Sequence, residues 1–209
     1  MSISNANAVA FVRSIAGEAT AKYWTDAEIT LYLQMSMAKV LGEMLPWLWE
    51  RNKDYANLAT TSGTSEYSAP ADSYRVSHIQ IKETGKKIRY IAEDEWYKYA
   101  YVDEGVTFTD TDYFIVWFMK NLDEIADFPD PCRYLIAVDA AIMARAKNED
   151  VTPDLIRMRQ EAKMSAITDL TVSNMHDIVA FGDYREEDTI DESFVWTWKG
   201  GKIKIASMD

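Results

Sequence analysis

The sequence predicts an α+β fold that is mainly helical: an antiparallel helix bundle with an inserted β-hairpin or small antiparallel sheet and a C-terminal β-hairpin arm. Three observations predict it. Apolar residues recur at i, i+3 and i+4 in several stretches, placing helices at 6–20, 26–50, 131–147 and 153–171. The period drops to two on either side of Glu83-Thr84-Gly85 and again on either side of Gly200-Gly201, the signature of strands joined by turns. The charged stretch from Asp183 to Glu192 separates the last helix from the terminal alternating run. These boundaries divide the chain into a core over 1–172 and a tail over 173–209, with a hairpin at 194–205. At 209 residues the chain has room for one good hydrophobic core and an appendage.

Each element has a local cause. Val9, Val12, Ile15, Ala16 and Ala19 form the first helical stripe, with Gly17 weakening its end. The second helix starts at Thr25-Asp26-Ala27-Glu28. The threonine hydroxyl can cap an orphan N–H there, and Glu28 can reach back to the cap's own N–H. Ile29, Leu33, Met37, Val40, Leu41, Met44 and Leu48 continue one stripe, which Pro46 should end or kink. The polar run Asn57 to Ser68 reads as a loop. Strands follow at about 74–82 and 87–92, then an aromatic, β-branched strand at 113–119 suited to burial on both faces. Asp130-Pro131 and Thr152-Pro153 each offer a cap followed by a proline pre-set for the first helical turn. The short link between the last two helices makes them an antiparallel hairpin. The Phe194, Trp196 and Trp198 face of the terminal hairpin needs a surface to pack on, because an isolated hairpin is marginal in water.

Composition narrows the function. With 48% hydrophobic and 27% charged residues the chain is globular and not disordered. No apolar run reaches the roughly 20 residues that span a bilayer, so no membrane role is expected. Met1 to Ala8 lacks a basic segment leading into an apolar one, so no signal peptide is expected. The lone Cys132 fits synthesis in a reducing cytoplasm. The net charge of −12, with no basic block denser than Lys86, Lys87 and Arg89, disfavours binding DNA by affinity. The run from Glu93 to Asp112 carries seven carboxylates against Lys98 alone and reads as a solvated acidic loop.

Catalytic constellations are not nominated. His78 and His176 share no motif, and neither has a second ligand at metal spacing, so no metal and no cofactor are expected. Cys132 lies at a helix start, where the dipole can lower a thiol pKa, yet it has no partnering His or Cys. Glu93-Asp94-Glu95 splay in different directions. No nucleophile elbow and no phosphate loop occur among the eight glycines. Asp72 with Arg75, and Asp139 with Arg145, read as surface ion pairs. The expectation is a protein that is not an enzyme.

The aromatic content points elsewhere. Seven Trp, twelve Tyr and seven Phe exceed what the core stripes use. Tyr and Trp bury large areas at low entropic cost and keep a hydrogen-bonding tip, which favours interfaces. The candidate interface residues are Trp47, Trp49, Trp96, Tyr99, Phe194, Trp196, Trp198, Ile203 and Ile205.

The order of several segments resembles the head-to-tail connector (adaptor) family of tailed bacteriophages. Tyr23-Trp24-Thr25-Asp26-Ala27-Glu28-Ile29 with Tyr32-Leu33 is similar to that family's entry into its long helix. Ala69-Pro70-Ala71-Asp72-Ser73-Tyr74-Arg75-Val76 resembles its approach to the hairpin, and Gly85-Lys86-Lys87-Ile88-Arg89-Tyr90-Ile91 resembles its return strand. Phe128-Pro129 through Tyr134-Leu135 and Ala140-Ala141 resembles the start of its last helix pair. The resemblance covers residues 20–172 and has no counterpart in the tail. It implies a structural virion protein at the neck or tail junction: a ring, typically of twelve copies, that docks on the portal protein, extends the DNA channel and attaches tail or nozzle proteins. An acidic ring would repel DNA passing through its lumen, and the terminal hairpin would grip a neighbouring subunit or the portal by strand addition. The alternatives are another neck component, such as a stopper or tail-completion protein, and a carbohydrate-binding module using the aromatic surface.

Overall fold

The structure, a computed structural model, describes residues 3–18, 23–95, 113–147, 151–180 and 190–207, with residues 50 and 172–180 in backbone only. The chain forms two compact units, each assembled from separated segments: one from Met1–Arg51 and Leu122–Ala180, the other from Asn52–Asn121 and Phe181–Asp209.

The first unit is helical. It contains α1 (Ala8–Ala16), α2 (Asp26–Arg51), a 3-10 turn (Ile125–Asp127), α3 (Asp130–Ala146) and α4 (Pro153–Ala180). Helix α3 is the hub and touches each of the other three helices. Nine of its 17 residues are buried, among them Ala137, Ala140, Ala141 and Ala144, whose small side chains let neighbouring helices approach from several sides. The expected capping box opens α2: Thr25 N donates to Glu28 Oε2 at 2.9 Å and Glu28 N donates to Thr25 Oγ1 at 3.2 Å. Of the two outcomes expected at Pro46, an end or a kink, the first does not occur: α2 runs through Pro46 to Arg51, in line with the predicted 26–50 span. The fully buried Met44 and Leu48 on either side anchor the helix, and this packing offsets the one hydrogen bond that proline removes. Asp130 is not the cap of α3 either; Pro129 occupies that position, and Asp130 pairs with Arg133 at 2.8 Å.

Helix α1 stops at Gly17, which is left-handed (φ 76°) and closes the helix with bonds from Glu18 N to Arg13 O and from Gly17 N to Ser14 O. Arg145 Nε caps Ala16 O at 2.9 Å, and a Cβ at Gly17 would lie 2.9 Å from Arg145 Nη2. Arg13, nearly buried, ties α1 to the start of α2 through Glu18, Asp26 and the carbonyl of Trp24 at 2.6–2.7 Å.

The second unit overturns the mainly helical bundle with an inserted hairpin and a terminal arm. It is one mixed, curled sheet of seven strands. These are β1 (Lys53–Leu58), β2 (Glu66–Ser68), β3 (Ser73–Ile81), β4 (Lys87–Tyr90), β5 (Phe114–Lys120), β6 (Ile190–Lys199) and β7 (Lys202–Ser207), in the order β1-β5-β3-β4-β6-β7-β2. Every pairing is antiparallel except β4 with β6. The terminal hairpin is therefore built into the sheet, between β4 and β2. Its aromatic face finds its cover within the same unit: Val195, Trp196, Ile203 and Ile205 join Ile79, Ile81, Phe114, Val116 and Phe118 in one core. The expected loop at Asn57 to Ser68 contributes to two strands. Leu58 closes β1 against Phe114, and the buried Tyr67 places the three-residue β2 on β7.

Candidate functional site

The predicted interface residues separate into three groups. Trp196, Ile203 and Ile205 are 1%, 0% and 0% exposed, so they are core and not available to a partner. Their apolar area is withdrawn from water by the sheet itself, which removes the reason to seek a second subunit. Phe194 and Trp198 are half-buried. Phe194 meets Phe114 edge-on at a centroid distance of 5.7 Å and Tyr113 at 6.4 Å. Trp47 and Trp49 are half-buried in the last turns of α2. Trp96 and Tyr99 lie outside the described residues.

In the helical unit the residues that sequence reasoning passes over are the exposed apolar ones. Leu31 and Met35, one turn apart on α2, are 53% and 52% exposed, and Met164 on α4 is 63% exposed. Ile156 on α4 and Tyr23 are also exposed. Leu31, Met35 and Met164 fall outside the buried stripes, so periodicity registers them as gaps in a polar face, whereas Ile156 belongs to the apolar pattern that the sequence assigns to its helix and is exposed nonetheless. A shallow hollow of about 230 Å³, lined by Ala8, Val9, Leu33, Gln34, Met37 and Ile125, lies in the same unit.

A buried charge network holds three helices together. Asp139 on α3, 1% exposed, accepts from Arg159 Nε of α4 at 2.5 Å and from Lys39 Nζ of α2 at 3.1 Å. Arg159 Nη2 continues to Glu43 of α2 at 2.7 Å, and Lys163 binds the other Glu43 oxygen at 2.7 Å. Hydrogen bonding to Asp139 raises the Arg159 pKa. Burial opposes ionisation of Glu43, but the bonds from Lys163 and Arg159 outweigh it and hold the carboxyl below its usual range. The expected Asp139–Arg145 surface pair is thus replaced by a buried one, because α3 turns Asp139 inward while Arg145 caps α1.

His78 stacks on Trp117 with centroids 5.7 Å apart, and its Nδ1 lies 2.9 Å from Ser77 Oγ. The side chain of His176 lies outside the described residues. Cys132 is buried, and burial pushes its thiol up to about 11, the opposite of what its place at a helix start suggests. Among the described residues no three His, Cys, Asp or Glu side chains are grouped to hold a metal, and no helix is long and apolar enough to cross a membrane.

The sheet contains a polar cleft. Strands β3 and β4 share a single register pair, Gln80 with Lys87, and then diverge. Beyond that pair a cleft of about 160 Å³ opens, lined by Arg75, Val76 and Ser77 of β3, Tyr90 of β4, and Trp196 and Trp198 of β6. The expected Asp72–Arg75 pair is not formed, and Arg75 makes no ion pair among the described residues. No protein-family model matches the chain, and no curated protein is similar to it.

Proposed function

We propose that the chain is a structural virion protein, a ring-forming head-to-tail adaptor. It docks on a portal protein, extends the DNA channel and offers an attachment surface to tail components. The observation that carries this reading is the apolar surface of the helical unit, where Leu31 and Met35 stand together on α2 and Ile156 and Met164 on α4, all about half exposed or more. Large apolar side chains kept in water are a cost that association removes, and a closed ring repeats one such contact at every subunit boundary. The ordered resemblance of residues 20–172 to phage connectors supplies the kind of ring. The net charge of −12 suits a lumen through which a polyanion slides without adhering.

In this reading the grip between subunits comes from the helices, not from the C-terminal hairpin. The test is mass photometry of the purified chain alone and after mixing with portal particles, on the native sequence and on Leu31→Asp with Met35→Asp. The expected result is a portal-dependent ring of about twelve copies that the double variant fails to form while keeping the native melting temperature. A variant that assembles as the native chain does would overturn the proposed contact. A chain that never associates with portals would overturn the adaptor reading itself.

A further inference from the structure

Helix α2 is apolar on two sides. Its buried stripe, Ile29, Leu33, Val40, Met44 and Leu48, packs into the helical unit. At 3.6 residues per turn a second stripe lies on the side turned away from the first: Leu31, Met35, Ala38, Gly42, Leu45 and Trp49. Its intervals of 4, 3, 4, 3 and 4 residues are the heptad spacing that seats another helix. No charged residue interrupts it, in a chain where 27% of residues are charged. Leu31, Met35, Ala38 and Gly42 are exposed, and Leu45 and Trp49 are half-buried. Helix α4 of the same chain does not cover this stripe, because it reaches α2 at Glu43, through Arg159 and Lys163.

Gly42 has no reason within the chain. Glycine is the poorest helix-interior residue after proline, yet it stands inside a 26-residue helix. A Cβ at this position would meet nothing within 4 Å among the described residues. With Ala38 one turn earlier it forms a waist in the stripe, where a neighbouring helix axis can come close. The helix that fits must present large uncharged side chains in the same rhythm. Helix α4 does: Ile156, Gln160, Met164 and Ile167 lie along one side of it without a charge, Ile156 48% and Met164 63% exposed. Set antiparallel, the two stripes pair Leu31 with Ile167, Met35 with Met164, Ala38 with Gln160 and Gly42 with Ile156. Large side chains then face small ones at the waist. The same register brings Lys39 beside Glu161, two side chains of opposite sign that are 42% and 70% exposed. Within one chain α4 is already packed through its buried Leu155, Ala162, Ala166 and Leu170, so the pairing needs two copies.

We propose that α2 of one copy and α4 of the next pack antiparallel along these stripes, a second copy of this chain being the occupant of the outer face of α2. The stripes lie on different helices, so the contact is heterologous and leaves each copy one stripe for a further neighbour, as a ring requires. Two chains of net charge −12 repel one another, and they meet where the surface carries no acid. The contact deepens the adaptor reading and rests on it for closure into a ring, not for the pairing of the two helices.

The test uses full-length chains carrying Met35→Cys, Met164→Cys or Ser165→Cys, the last exposed on α4 but a quarter-turn round from Met164. The native Cys132 is buried and stays in place. Chains with Met35→Cys are mixed with either α4 variant at high concentration, alone and with portal particles, then oxidised, and the disulfide-linked peptides are identified by mass spectrometry. The expected result is a link between positions 35 and 164 in clear excess over 35 and 165. Gly42→Leu supplies a second readout: it raises helix propensity and meets open space in the monomer, so the melting temperature holds or rises. Self-association, read by analytical ultracentrifugation, weakens by about tenfold or more. No link between 35 and 164 in either mixture, a link between two copies of position 35 in its place, equal linking to 164 and 165, or native association of Gly42→Leu would each overturn the proposal. Rings that assemble on portals without the 35–164 link overturn the contact and leave the adaptor reading standing. The link in chains that never join a portal upholds the contact and removes the adaptor reading.

Discussion

The two units of this chain hold together by different means. In the helical unit the organising contacts are polar and anchored at single residues: Asp139 is gripped from two helices, Arg13 is buried among Glu18, Asp26 and a carbonyl, and Arg145 and Arg133 cap backbone carbonyls. In the sheet unit the core is a continuous apolar layer from Leu58 to Ala206, and its outer ion pairs, such as Lys120–Asp54 and Lys202–Glu66, are solvent-exposed. Exposed pairs contribute little, whereas a buried network fails badly when one member is lost. The helical unit should therefore be sensitive to charge changes and the sheet unit to volume changes.

The sharpest way to break this comparison is Trp196→Ala. Truncating the largest fully buried side chain of the sheet should cost about 3–5 kcal/mol in chemical denaturation, while a loss below about 1 kcal/mol would mean that β6 does not belong to the core. Next comes Arg159→Ala, which leaves the buried Asp139 with Lys39 as its one cation among the described residues. A loss of about 3 kcal/mol is expected, against little change for Lys202→Ala on the sheet. Gly17→Ala should cost about 1–2 kcal/mol, because it adds a side chain in a left-handed conformation and crowds Arg145.

The smallest effect is a pH dependence at the surface. The bond from Lys147, reinforced by Thr25, lowers the Glu28 pKa to about 2. A depressed carboxylate binds fewer protons folded than unfolded, so its stabilisation is complete above the ordinary carboxylate range. It is lost as pH falls from there toward about 2. Glu43, Asp54, Glu66 and Asp191 are lowered too and act in the same direction. Melting temperature should therefore fall on acidification across this window, and Lys147→Gln should make the fall shallower.

The same contrast explains what can be read from the residues. Thr25 and Glu28 announce α2 because a capping box is decided by four consecutive residues, and the stripe Ile29 to Leu48 is likewise local. The terminal hairpin is legible as a hairpin through Gly200-Gly201 but not in its role. Parallel pairing of β4 with β6 joins residues about a hundred positions apart and leaves no mark in either strand's own pattern. Strand β2 escapes a sequence reading because three residues cannot show a period, and its one signal, Tyr67, sits in a run of loop formers. Asp139 is misread because a buried carboxylate and a surface one look alike in sequence until the helices that supply Lys39 and Arg159 are in place. The β3–β4 cleft is invisible for a related reason: its walls are bulges, and a bulge is defined only against a partner strand.

The place of the C-terminal hairpin in the monomer's own sheet is the claim on which the rest turns, and amide hydrogen exchange on the isolated monomer tests it most directly. Ile91 N–H donates to Trp196 O at 2.9 Å across the β4–β6 pairing. Protection at Ile91 and across residues 190–207 should match that of β3 and β5. Fast exchange over 190–207 in the monomer, slowing only after subunits assemble, would contradict the account and restore the hairpin as an arm.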